Sequence, residues 1–200
     1  PFQNSSGGLS PILLGGGIEP LTGLYESFNG GSTVTQVSAP TSSGNPTAFT
    51  YASAGGAAYY GTKSGQLFLR GAYGQAFTTM TAPNWGNAYA TQIVVDPNNP
   101  IVLYVLDVFG NIWGSVNQGE YGWTNLTAGT NLAALDTART DVNIGELQRL
   151  NGATTTVQTI QLYDPTPYTV DNNILLAGAL GGVYSLNVDL IGAQPSQYSW

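Results

Sequence analysis

The sequence predicts an all-β chain of short antiparallel sheets, and three observations carry that prediction. Val, Thr, Tyr and Ile gather in short runs separated by Gly, Pro, Asn and Asp, the composition of strands joined by tight turns. No segment sustains the 3.6-residue apolar period of an amphipathic helix. One pattern also recurs: an apolar strand, a Gly-rich or polar turn, a second short strand containing an aromatic, then a polar turn.

The first copy runs through Ile12-Leu13-Leu14-Gly15 and Leu24-Tyr25-Glu26-Ser27. The second holds Ala58-Tyr59-Tyr60-Gly61 and Gln66-Leu67-Phe68-Leu69-Arg70. The third holds Ile101 to Leu106 and Asn111-Ile112-Trp113-Gly114-Ser115, and the fourth Ile174 to Gly178 and Gly182-Val183-Tyr184-Ser185. Taking the last residue of each second strand as an anchor gives Ser27, Arg70, Ser115 and Ser185, spaced 43, 45 and 70 residues apart. The first two spacings match a four-stranded propeller blade of about 40–50 residues. The third is one such unit plus a polar insertion at 130–153 that carries Asp136, Arg139, Asp141, Glu146 and Arg149 and reads as a solvated loop.

Additional strands at 48–51, 92–95 and 157–162 precede the second, third and fourth apolar strands and are expected to be the innermost of their units. Turn signals separate them from the apolar strands; Asp96-Pro97-Asn98-Asn99-Pro100 is the clearest. The expected fold is therefore all-β: antiparallel four-stranded blades of a partial or incomplete β-propeller, in units near 9–40, 46–82, 88–128 and 155–200, with a β-sandwich as the alternative. The chain begins at Pro1 rather than Met, so it is expected to be a piece of a longer protein.

Composition removes several function classes. Only 8% of residues are charged, against about 25% in an average soluble domain. The net charge is −7 and the basic residues are Lys63, Arg70, Arg139 and Arg149 alone. They cannot build a phosphate-neutralising stripe, so no nucleic-acid partner is expected. No apolar run is long enough for a membrane-spanning helix, and no membrane insertion is expected. Without Cys or His there are no disulfides, no thiolate metal site and no imidazole base.

The polar turn after the second strand carries a family resemblance. Ser27-Phe28-Asn29-Gly30-Gly31-Ser32-Thr33-Val34 resembles the Asp-box, Ser-x-Asp-x-Gly-x-Thr-Trp, of BNR-type propellers, with Asn29 for the Asp and Val34 for the Trp. Ser115-Val116-Asn117-Gln118-Gly119 repeats its start, with Trp123 one residue late, while Arg70 to Phe77 keeps only the Gly and the aromatic. After Ser185 only Asn187, with Trp200 beyond it, resembles the pattern. The stretch from Asn98 to Val105 is similar to the run that opens such blades. In the family, this box is a folding motif: the Asx side chain ties backbone amides, the Gly takes a positive φ, and the aromatic packs the outer strand onto its blade. The resemblance implies a large secreted or surface-attached bacterial protein, of the kind that also carries calcium-binding or cadherin-like repeats.

The chemistry the family sometimes performs is not spelled out in these residues. Sialidases grip a substrate carboxylate with three arginines, but Arg139 and Arg149 share one loop here and Arg70 occupies a turn position. Glycoside hydrolases of this fold use two carboxylates. Asp96 and Asp164 belong to turn signals, Glu26 and Glu120 flank boxes, and Asp107 reads as a turn-initiating residue with no catalytic partner. No catalytic or metal-binding residue is assigned. Calcium is considered through Asp164 and Asp171, yet no Asp-x-Asp-x-Asp-Gly loop accompanies them, and no cofactor is expected. Trp85, in the loop Pro83-Asn84-Trp85-Gly86-Asn87, is the candidate binding residue. The expected function is a non-catalytic structural or adhesive domain, extracellular or on a bacterial cell surface, whose partners are other copies or neighbouring domains. Glycan binding or hydrolysis by a completed propeller is the alternative.

Overall fold

The structure is a computed structural model and describes residues 12–18, 21–37, 44–52, 56–128, 157–163, 174–179 and 182–187. Among the described residues there is no helix, and the strands form antiparallel sheets in chain order. The first sheet is β1 (Ile12–Ile18), β2 (Leu21–Ser27) and β3 (Thr35–Val37). The second is β4 (Pro46–Tyr51), β5 (Ala58–Thr62), β6 (Leu67–Arg70) and β7 (Thr78–Met80). The third is β8 (Ala90–Val95), β9 (Leu103–Asp107), β10 (Ile112–Ser115) and β11 (Thr124–Asn125). The fourth is β12 (Val157–Tyr163), β13 (Ile174–Ala179) and β14 (Gly182–Asn187). Each sheet is a meander, in which every strand pairs with its chain neighbour. The insertion at 130–153 lies outside the described residues, as do Asp164, Asp171 and Trp200.

The strands expected to be innermost are β4, β8 and β12, and β8 packs beside both of the others. Side chains close the gaps between them. Thr47 Oγ1 donates to the Ala90 carbonyl at 2.6 Å. The Gln92 amide acts as a peptide surrogate: its nitrogen donates to Ile160 O at 2.7 Å and its oxygen accepts from Ile160 N at 2.9 Å.

Period-two alternation on β5 and β9 sends successive side chains to opposite neighbours. Every residue of both strands is buried. Ala58 and Tyr60 join Leu24, Phe68 and Phe77 between the first and second sheets. Tyr59 and Leu67 meet Ile93, Leu103 and Val105 between the second and third. Tyr104, Leu106, Ile112 and Leu126 meet Ile160, Leu175 and Leu186 between the third and fourth. The sheets approach closely at Gly61, where a Cβ would lie 2.8 Å from that of Ala90.

The anchors are equivalent in three units. Ser27, Arg70 and Ser115 each end the second strand, are buried, and pair with the first residue of the preceding strand, Ile12, Ala58 and Leu103 respectively. Ser185 is not their equivalent. It lies two residues inside β14 and is exposed, while its neighbour Leu186 faces the third sheet. Ser185 pairs with Leu176, the third residue of β13; the residue that ends β14 opposite the first residue of β13 is Asn187, which pairs with Ile174. Smaller differences occur at strand ends: β1 continues through its glycines to Ile18, and β9 starts at Leu103, leaving Ile101 exposed in the preceding turn.

Leu103→Ala should therefore cost about 2–5 kcal/mol, because it empties a core shared by two sheets. Val183→Ala, at a site 73% exposed, should stay within about 0.5 kcal/mol. Urea denaturation of the two variants checks the contrast.

Candidate functional site

The turns that follow the second strands are tied by side chains. Ser27 Oγ accepts from Gly31 N at 2.8 Å, and Asn29 Oδ1 accepts from Ser27 Oγ at 3.1 Å and from Thr33 N at 2.8 Å. The third sheet repeats this: Ser115 Oγ accepts from Gly119 N at 2.8 Å and donates to Asn117 Oδ1 at 3.0 Å. Gly30 and Gln118 occupy the same place in the two turns, with φ of 69° and 58°. Glycine tolerates that conformation and glutamine is strained in it. The strained residue aims its amide across the sheet boundary, where Gln118 Nε2 donates to Tyr59 Oη at 2.7 Å. Tyr59 Oη in turn donates to Pro100 O at 2.6 Å.

Of the aromatics after these turns, Phe77, directly ahead of β7, packs edge-on against Tyr60 of its own sheet, as the resemblance implies. Phe77 is buried in the core shared with the first sheet, and Trp123 Nε1 donates to Thr81 O at 2.8 Å in the second. Val34, at the matching place in the first turn, is exposed.

Asp107 is buried and fully used as a turn residue. Its Oδ1 accepts from Phe109 N at 2.8 Å and Asn111 N at 2.9 Å, and its Oδ2 accepts from Asn111 Nδ2 and Trp113 Nε1, each at 3.0 Å. Asp96 Oδ1 likewise accepts from Asn98 N at 2.8 Å and Asn99 N at 3.1 Å. Trp85 is half-buried: its indole donates to Gly65 O at 3.3 Å and its ring packs against the core of the second and third sheets. Among the described residues, no group of three or more His, Cys, Asp or Glu is placed to hold a metal ion.

Among the described residues, the strongest electrostatic feature is one that no local sequence pattern marks. Arg70 does not sit in a turn; it ends β6 and is 2% exposed. It crosses to the first sheet and pairs with Glu26, itself 6% exposed. Nη1 donates to Oε2 at 3.1 Å, Nη2 donates to Oε1, and Nε donates to Gly56 O at 3.1 Å. Tyr51 Oη donates to the same carboxylate. The rings of Tyr51, Tyr73 and Phe77 lie 5.2 to 5.8 Å from the guanidinium carbon. Burial alone would raise the Glu26 carboxyl; the bonds from Arg70 and Tyr51, with the charge of Arg70, outweigh it and hold the group below its ordinary value. Burial and the bond to Glu26 push the Tyr51 hydroxyl well above the usual tyrosine range.

Above this pair, between the outer parts of the first two sheets, opens a cleft of about 370 Å³. Its walls include Phe28, Thr35, Gln36 and Gln75, and Glu26 and Arg70 also line it.

Antiparallel meanders stacked face to face, with a run of innermost strands side by side, define a partial β-propeller. No protein-family model matches the sequence, and no curated protein matches it. Among solved structures, the GH74 enzyme of Niastella koreensis is similar over 99% of this chain, with a TM-score of 0.62 and 21% identity. This chain spans 29% of that enzyme's length. The structure of YCF48 bound to D1 peptide matches over 90% of this chain and 48% of its own, with a TM-score of 0.49 and 13% identity. At these identities the likeness shows the fold alone.

Glu26→Gln should destabilise the chain by about 3–5 kcal/mol at neutral pH, because it leaves the buried Arg70 charge unpaired. Adding Arg70→Met should recover part of that loss. The folded carboxyl titrates below its ordinary value of 4.5, so its contribution is complete above that pH and is lost as pH falls through the lowered value. Thermal melts from neutral pH into the acid range should show that loss in the parent chain and its absence in Glu26→Gln. Ser115→Ala, which strips Gly119 N of its acceptor, should cost about 1–3 kcal/mol in the same assay.

Proposed function

We propose that this chain is a non-catalytic β-propeller module of an extracellular bacterial protein, working through contacts with other copies or neighbouring domains. The observation that carries this reading is how the polar and apolar side chains are shared out. The buried carboxylates of Glu26, Asp96 and Asp107 are spent on an internal ion pair and on turn amides. Large apolar side chains stand exposed around the turns that leave the second strands: Phe28, Val34, Val116 and Tyr121, the last 85% exposed. Apolar groups at one end of successive sheets are suited to burial against another surface. With 8% charged residues, little electrostatic repulsion opposes that burial.

The turns at Ser27–Thr33 and Ser115–Gly119 support reading them as degenerate Asp-boxes, because the Ser and Asx side chains bond within the turn as such a box requires. That reading favours the secreted setting the resemblance implies.

Sedimentation of the chain over a range of concentrations, alone and with its flanking domains, tests the proposal. Association is expected, and it should weaken in a Val34→Ser, Val116→Ser, Tyr121→Ser variant. A particle that stays monomeric and ignores its neighbours would overturn the packing role. Release of reducing ends from plant or microbial polysaccharides would replace it with glycoside hydrolysis.

A further inference from the structure

The same place in two successive repeats is packed in one and open in the other. Gly74 and Gly119 are equivalent turn glycines, each four residues past its anchor, with φ of 75° and 78°. At Gly119 a Cβ would lie 2.6 Å from Thr81 O and 2.7 Å from Trp123 Nε1, so this turn is closed against the second sheet. At Gly74 a Cβ would meet nothing within 4 Å. The Trp123 ring has Phe77 as its counterpart, and Phe77 is turned inward against Tyr60, with ring centroids 4.8 Å apart. The cleft between the first and second sheets occupies the volume that remains.

The chemistry of that cleft narrows what fits it. Its charged members, Arg70 and Glu26, neutralise each other, so it selects neither an anion nor a cation. Its walls carry two side-chain amides and a hydroxyl, from Gln36, Gln75 and Thr35, each able to donate and accept hydrogen bonds. Phe28 adds a ring that is 52% exposed and makes an edge-type contact with Tyr73, at 5.3 Å between centroids. Side-chain amides and a hydroxyl beside an exposed aromatic ring complement a ligand that is neutral, rich in hydroxyls and apolar on one face.

We propose that the cleft between the first and second sheets is a binding site for a neutral pyranose sugar, seated against Phe28 and hydrogen-bonded by Thr35, Gln36 and Gln75. The proposal goes beyond the packing role above and does not depend on it, since the exposed side chains tested there lie outside this cleft. The site needs no catalytic group.

Amide NMR titration of the whole chain with cellobiose, xylobiose, lactose and chitobiose tests it. At least one of these sugars should move the resonances of Phe28, Thr35–Val37 and Gly74–Ala76 in a saturable way. Phe28→Ala should weaken that binding at least about tenfold, the scale of one lost stacking contact. Ala76→Trp, which fills the cleft from an exposed position, should abolish binding while leaving the urea midpoint unchanged. The proposal is overturned by an absence of shifts with all four sugars, by shifts centred elsewhere, or by binding that both variants retain. A cleft that responds only to charged sugars or to peptides overturns it equally.

Discussion

The structure depends on one constraint: β5 and β9 must bury both of their faces at once. A strand that is apolar on both sides cannot sit in a sheet with a solvated face. Each needs a sheet in front and a sheet behind, and the chain supplies them in sequence order. Ala58 and Tyr60 need the first sheet, Tyr59 needs the third, and Leu103 and Val105 return the contact. Radial stacking follows from this requirement, and so does the run of inner strands side by side. The Gln92 amide shows how close those strands come without pairing, since a side chain supplies the hydrogen bonds that neighbouring backbones cannot reach.

Polar groups are used sparingly and mainly to hold turns and join sheets. Ser27 and Ser115 bind amides within their own turns. Arg70 occupies the matching place and reaches instead to Glu26 of the neighbouring sheet, while its Nε donates to Gly56 O within its own sheet and Tyr51 Oη donates to the same Glu26 carboxylate. The second repeat has therefore exchanged a local turn bond for a contact between partners 44 residues apart. Its turn is correspondingly open, and the cleft lies beside it.

Much of the fold was legible in the sequence because the strands are short, apolar and separated by strong turn residues. The spacing of Ser27, Arg70 and Ser115 marks equivalent strand ends, and Asp96 and Asp107 behave as the turn residues their contexts suggest. Ser185 misleads because β14 runs two residues past it to Asn187, and no Gly or Pro marks where that short strand stops. The Glu26–Arg70 pair is less legible still. No local pattern joins residues so far apart, and Glu26 resembles any acid beside a turn. One signal was available: an arginine standing where two other repeats place serine, in a chain with few charges, needs a carboxylate nearby. Trp85 stands out by its loop context, but context alone does not reveal that its indole is already bonded to Gly65 O.

The boundaries between sheets are not chemically alike, and this gives the array a direction. Contact between the third and fourth sheets is made by aliphatic side chains with Tyr104 and by the neutral Gln92 amide, while the first is fastened to the second partly by a carboxylate. In arrays where each unit touches only its neighbours, stability is lost unit by unit, beginning at the weakest seam. Acid strong enough to take the pH through the lowered Glu26 value loosens this seam and spares the aliphatic one. The chain is thus built to fray from its amino-terminal end under acid, with the rest of the stack still closed.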